Sequence, residues 1–382
     1  MQNRKIVLFI FLTIFLFSFY LLTVYINNSS KDTSVNYPSL YRKKPLSLAV
    51  TESDSRFVIN IKNKNQSILA NVKSSLIDTE DKEPSYKIEK GQLENGTWLW
   101  TPISLLTESY TKEILKGARE NNINKIYLAV DSYLDIYVKN DSPEKTAEKK
   151  EFDEKISKFI KSANLQNIKV VAVCGWKNWT RKEHSYKSFI IMDYVIDFNS
   201  KRQEKFDGLQ FDIEPYLLDE YKENKKEILK EFLALFENIF DNSPKEGLPI
   251  SVVVPEFFDK SSNLTPKFFW NGRYDFTINH LVKIMKTRKD SSLLVMAYRN
   301  FNTGYDGVFD ISKDEIKAGN KHNVKTIIAV ETGDFMPPFI TYYNTNKRYY
   351  NQNTSEILEY YKNEPSFSGI ATHYINSLME MR

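Results

Sequence analysis

The stretch FDGLQFDIEPY, from Phe206 to Tyr216, alternates apolar and polar residues and then ends in two carboxylates two positions apart, Asp212 and Glu214. Such alternation is the period of a buried strand. Side chains two apart on a strand share a face. Two carboxylates on one inward face oppose each other's ionisation, so one can stay protonated near neutral pH while the other stays charged. That pairing suits general acid catalysis. Pro215 closes the strand, because it has no N–H to give to a sheet ladder, and Tyr216 opens a loop before a long helical stretch. The carboxylates therefore stand at the strand's C-terminal end. An isolated pair of this kind also fits an ion-paired or solvated strand end, and the pattern around it decides between the two.

That pattern is a rhythm. From Gly96 onward, strand-like apolar runs alternate with longer helical stretches. The runs are TWLWTPISLL, NKIYLAVD, IKVVAVCGW, DGLQFDIEP, LPISVVVPEFF, SLLVMAYRN, VKTIIAVET and FSGIATHYI, eight in all. Between them fall helical segments at Tyr110 to Asn121, Phe152 to Ala163, Asp219 to Phe240, Asn279 to Arg288, Lys313 to Asn320 and Ser355 to Lys362. Strands alternating with helices argue for parallel βαβ units, and eight of them make an α/β chain of the (β/α)8 TIM barrel class. Ile228, Phe232, Leu235, Phe236 and Ile239 recur at helical spacing and read as the side of one helix that covers the barrel. The chain ends soon after the eighth strand, so its last helix is short or missing.

Ahead of the barrel, Arg4 and Lys5 precede an apolar run from Ile6 to Ile26, long enough to span a bilayer as one helix. The following TVYINNSS offers no small-residue cleavage site. The expectation for 1–26 is an uncleaved transmembrane signal anchor in the cell membrane, with the basic end cytoplasmic and the barrel on the extracytoplasmic side. Residues 27–44 read as a flexible tether, 45–95 as a small β-rich lead-in, and 96–382 as the barrel. The totals of 53 basic and 49 acidic residues leave a net charge of +4, which gives no strong field for nucleic acid. Cys174 is the single cysteine, so the chain has no internal disulfide and no Cys-rich metal site. Its place in an apolar run makes it a buried, inert thiol.

In a barrel of this class active sites lie at the C-terminal ends of the strands. Those ends are polar here. Asp131 ends the second strand, Trp176 with Trp179 the third, Asp212 and Glu214 the fourth, and Glu256 the fifth. Tyr298 and Arg299 end the sixth, Glu331 the seventh, and His373 and Tyr374 the eighth. Arg299 with one of the glutamates fits a structural ion pair. His184, His280 and His322 fall in helical or loop segments and take no role.

The segment Asp207-Gly208-Leu209-Gln210-Phe211-Asp212-Ile213-Glu214 resembles the DGxDxDxE signature of the chitinase-like glycoside hydrolases of family 18, and Met296-Ala297-Tyr298 resembles the start of their MxYD motif. Both fall on the expected strands. The resemblance implies Glu214 as the general acid that protonates the leaving glycosidic oxygen. It implies that Asp212 orients the substrate's acetamido group and that Tyr298 hydrogen-bonds the same group as it attacks. The sequence departs from the family where Gln210 replaces the middle aspartate and Arg299 the MxYD aspartate. It departs again where Cys174-Gly175-Trp176 stands for SxGG and where the eighth strand lacks a tryptophan. Glu214-Pro215 with Glu331 also resembles the acid/base and nucleophile of the retaining (β/α)8 glycosidases, although Ile213 stands where that group has asparagine. The two resemblances differ on the nucleophile, and Glu331, at the end of a clean apolar strand, is given a direct role.

The expected activity is cleavage of a glycosidic bond in a cell-surface or matrix polysaccharide, without a cofactor. Glu214, Asp212, Glu331 and Tyr298 are its catalytic residues, and Asp131, Trp176, Trp179, Glu256, Arg299, His373 and Tyr374 its substrate contacts. Two alternatives stand beside it. One is a carbohydrate-binding barrel that has lost catalysis, with Trp100, Trp176 and Trp179 stacking on sugar rings. The other is a metal-dependent deacetylase or hydrolase drawing on Asp131, Asp212, Glu214, Glu256, Glu331 and His373.

Overall fold

A computed structural model of the protein describes residue 88 and residues 91–382, apart from 245 and 261–263. The anchor expected at 1–26, the tether at 27–44 and most of the lead-in at 45–95 lie outside the described residues. Among the described residues no helix is long and apolar enough to cross a membrane.

Seven of the eight apolar runs contain one strand of a closed, all-parallel barrel, and the first, TWLWTPISLL, overlaps a strand that begins three residues before it, in the stretch given to the lead-in. The strands are β1 Glu94–Leu99, β2 Lys125–Ala129, β3 Lys169–Cys174, β4 Leu209–Phe211, β5 Ile250–Pro255, β8 Ser292–Met296, β9 Lys325–Glu331 and β10 Phe367–His373. Around the barrel the order is β1-β10-β9-β8-β5-β4-β3-β2. The numbering skips two because β6 Phe268–Trp270 and β7 Arg273–Asp275 form a separate antiparallel hairpin after β5. Its turn is Asn271-Gly272, both at positive φ, the conformation an Asn-Gly hairpin turn requires.

The outer layer comprises α1 Glu108–Glu120, α2 Tyr133–Tyr137, α3 Pro143–Asn164, α4 Tyr186–Lys201, α5 Tyr221–Asn242, α6 Thr277–Met285, α7 Val308–His322, α8 Lys347–Tyr361 and α9 Ile375–Glu380. Local chemistry sets several of their starts. Thr107 Oγ1 accepts the Tyr110 N–H at 3.2 Å, Ser142 Oγ the Lys145 N–H at 3.1 Å just ahead of Pro143, and Asn346 Oδ1 the Tyr349 N–H at 2.9 Å. Each satisfies a donor the helix cannot, typically worth about 1 kcal/mol. The closing helix α9 is only six residues long.

Strand alternation divides the core in two. Leu99, Leu128, Ala172, Leu209, Phe211, Val252, Val295 and Val330 face outward and pack with the helices, including the α5 stripe Ile228, Phe232, Leu235, Phe236 and Ile239. Trp98, Tyr127, Val171, Val173, Val253, Leu294, Ile327, Ala329 and Ala371 point inward and fill the barrel. Burial of this kind is worth about 1.5–3 kcal/mol for each large side chain, so the barrel interior is a packed core and not a channel. Its N-terminal end is closed by buried Glu94, which accepts hydrogen bonds from the Tyr127 hydroxyl and the Lys125 ammonium.

Candidate functional site

Because inward and outward side chains alternate, the parity fixed by the inner core predicts what stands above it. On β4, Gln210 faces inward and is fully buried. Its Oε1 accepts the Trp98 indole N–H at 2.7 Å, and its Nε2 lies 3.5 Å from Ser251 Oγ. It forms a neutral polar floor. Asp212 and Glu214, two and four residues on, keep the same parity above it. The Asp212 N–H donates to Cys174 O at 2.9 Å, extending the ladder with β3 past the end of the strand.

Three carboxyl groups meet over that floor. Burial, then the neighbouring charges of Glu214 and Asp131, push Asp212 well above the usual carboxylate range, and its Oδ1 is buried without a hydrogen-bond partner. Glu214 is also raised by burial, opposed by a hydrogen bond from the Tyr216 hydroxyl to its Oε2. Asp131, at the end of β2, accepts the Gly175 N–H at 3.1 Å, and burial pushes it up to about 7. The Tyr298 hydroxyl is raised by burial and by the charges of Glu331, Asp212 and Glu214, which places it among the same carboxylates.

Opposite them, Glu331 ends β9 and is 2 % exposed. Its Oε2 lies 2.7 Å from His373 Nδ1, and its Oε1 accepts the Gly333 N–H at 2.5 Å. His373 Nε2 accepts the Trp100 indole N–H at 2.8 Å. Tyr374 packs its ring edge-on against His373, 5.2 Å between centroids. The structure thus brings Asp131, Asp212, Glu214, Tyr298, Glu331, His373 and Tyr374 together at the barrel mouth. Among the described residues no three histidine, cysteine or acidic side chains are grouped so as to hold a metal ion.

Trp176, Trp179, Glu256 and Arg299 fall differently. Trp176 is 54 % exposed at the rim, but Trp179 is 3 % exposed. The short helical turn Lys177–Thr180 carries Trp179 back into the helix-facing core, so it offers no ring face for a sugar to stack on. Glu256 and Arg299 pair with one another at 3.4 Å, and the guanidinium also binds Asp306 at 2.8 Å and lies over the Phe339 ring. These contacts make Arg299 a structural tie between loops. Sequence reasoning assigned no role to Tyr216 beyond opening a loop, nor any to Phe335, whose ring lies 6.3 Å from His373. Trp100 entered only as a stacking surface. Its position two residues beyond inward-facing Trp98 was the available signal.

Burial of these acids has a consequence for stability. A carboxyl whose folded value is raised favours the folded state fully below its unfolded value, about 3.9 for aspartate, and that contribution is lost as pH rises through the folded value. Asp131 and Asp259, the latter in the turn after β5, both lie at about 7, raised chiefly by burial. Glu315, fully buried on α7 with neither oxygen hydrogen-bonded, is raised too, by burial and then by the charge of Asp259. Tm should therefore fall as pH rises from about 5 to about 8, and Asp131→Asn should flatten the fall. Scanning calorimetry across that range checks it, and a Tm that climbs with pH would contradict these environments.

No family model matches the sequence, and neither does the sequence of any curated protein. Among solved structures, the chain is similar to the GH18 chitinase from Cycas revoluta in complex with (GlcNAc)3, with 12 % identity, a TM-score of 0.42, and coverage of 75 % of this chain and 96 % of that one. It is similar to the β-mannanase from the blue mussel Mytilus edulis at 13 % identity and TM-score 0.42, covering 76 % and 90 %. It is similar also to tryptophan synthase from M. tuberculosis at 9 % identity and TM-score 0.35, covering 76 % and 90 %. These proteins differ in chemistry, and likenesses this distant carry no argument about function.

Proposed function

We propose that the protein is a glycoside hydrolase acting on a cell-surface or matrix polysaccharide, held to the outer side of a membrane by the apolar run Ile6–Ile26. Glu214 is the general acid. The observation that carries this is the contrast between the two motif carboxylates. Asp212 is the more deeply enclosed, with a buried and unpartnered Oδ1. Glu214 reaches the mouth with a raised pKa and a tyrosine hydroxyl fixing one oxygen. A general acid needs a proton available near the working pH and access to the leaving oxygen, and the raised pKa and part-exposed position of Glu214 favour it for that role. Trp176, exposed at the rim after the third strand, supplies an apolar face of the kind that stacks on a sugar ring.

The reading is tested by assaying reducing-end release from a panel of purified polysaccharides and N-acetylated oligosaccharides with full-length protein, scoring binding separately. Release by the wild type is expected. Binding without release would favour a carbohydrate-binding barrel. That reading draws on Gln210, which fills the middle motif position with a residue that cannot ionise and is tied to Trp98. Fractionation of expressing cells tests the anchor, which would be wrong if the full-length chain were recovered without membranes.

A further inference from the structure

We propose that Glu331, His373 and Trp100 form a positioning chain that holds His373 neutral, with its proton on Nδ1, and so fixes Tyr298 against the Asp212–Glu214 pair. The functional half of this rests on the glycosidase reading of the barrel mouth. An indole N–H can only donate. With Trp100 Nε1 at 2.8 Å, His373 Nε2 must present a lone pair. The ring's single proton then sits on Nδ1 and is donated to Glu331 Oε2 at 2.7 Å. An imidazolium would set an Nε2–H against the indole N–H at that same distance. Histidine tautomers are set in this way by the hydrogen bond that the other ring nitrogen makes.

Both ring nitrogens of His373 are used, and both oxygens of Glu331 accept hydrogen bonds, the second from the Gly333 N–H. Each oxygen keeps a second lone pair, but with the side chain 2 % exposed little of either is open to a substrate. The action of Glu331 passes instead through the imidazole. That ring lies 6.1 Å from Tyr298 with 28° between their planes, and Trp98, Phe335 and Tyr374 pack around it at 5.7, 6.3 and 5.2 Å. Tyr298 in turn places its hydroxyl where Glu331, Asp212 and Glu214 all act on it. Glu331 and His373 are positioning residues.

The chain contains four histidines, so full-length protein labelled only with 15N-histidine gives few signals, and the one missing from His373→Gln belongs to His373. At neutral pH that imidazole should show a protonated Nδ1 and a lone pair on Nε2. A proton on Nε2, or on both nitrogens, would overturn the proposal whether or not any substrate is known. Asparagine can place an amide N–H near Nδ1, whereas phenylalanine cannot. His373→Phe should lower kcat about 100-fold with little change in KM, the scale expected when a catalytic group is misplaced. His373→Asn should recover at least about tenfold of that loss. Equal losses in the two variants would remove the Nδ1–H donation from the account. Failure of the wild type to cleave any glycan would sink the glycosidase reading and leave the tautomer measurement decisive for the chain.

Discussion

Glu214→Gln should lower turnover on a cleaved glycan by about 100- to 10,000-fold, the span that general acid catalysis is worth. The substitution keeps the shape of the side chain and its capacity to accept from the Tyr216 hydroxyl. It removes the transferable proton. It also removes one of the charges that oppose ionisation of Asp212, so Asp212 should ionise at lower pH in the variant. Affinity for the same glycan should be retained, because the exposed Trp176 face and the floor around Gln210 are untouched. A variant that kept wild-type turnover would dismiss both the substrate-assisted and the protein-nucleophile routes, since both require this acid.

The second large effect is structural. Gly175→Ala should destabilise the barrel by about 4 kcal/mol or more, at the exceptional end for a single substitution. A Cβ at Gly175 would fall 1.8 Å from the carbonyl oxygen of Asp212 and 2.4 Å from its carbonyl carbon. These are backbone atoms and cannot swing aside as a side-chain tip can. Moving them would break the Asp212 N–H bond to Cys174 O and displace the Gly175 N–H from Asp131. The clash therefore lies where the third and fourth strands end, beside the carboxyl groups of Asp131 and Asp212. Urea unfolding measures it, and a midpoint within error of the wild type would mean that Gly175 does not touch Asp212.

The barrel was legible because its strands are buried on both faces and stand out as apolar runs between helical stretches, and seven of the eight runs hold a strand while the first overlaps one. Helix α4 was not legible. Its buried residues Ser188, Ile190, Ile191, Met192, Tyr194, Val195 and Phe198 spread around much of the helix, so no polar face marks the period, and β-branched and aromatic residues blur it further. The β6–β7 hairpin carried a readable signal in Asn271-Gly272. Its strands are only three residues long, too short for alternation to show.

At the site, the parity of strand residues was enough to bring Asp131, Asp212, Glu214, Tyr298, Glu331 and His373 together. What lies beyond the strand ends followed other rules. Trp179 looked like a partner for Trp176, but a short helical turn returned it to the core. A direct role for Glu331 was inferred from its place at the end of an apolar strand. The engagement of both its oxygens, by Gly333 and His373, depends on contacts between β9 and β10 that no local pattern encodes. Cys174 behaved as its apolar surroundings implied: it is buried, and burial raises its thiol well above the ordinary value.

The most direct test of the central claim is a crystal structure of the Glu214→Gln protein with a bound oligosaccharide drawn from whichever glycan the wild type cleaves. The account predicts the sugar chain across the barrel mouth, with one glycosidic oxygen within hydrogen-bond reach of residue 214, about 2.6–3.2 Å, and the ring on the cleaved side facing Asp212 and Tyr298. An oligosaccharide bound with every glycosidic oxygen out of reach of residue 214, or seated away from the C-terminal ends of the strands, would contradict it.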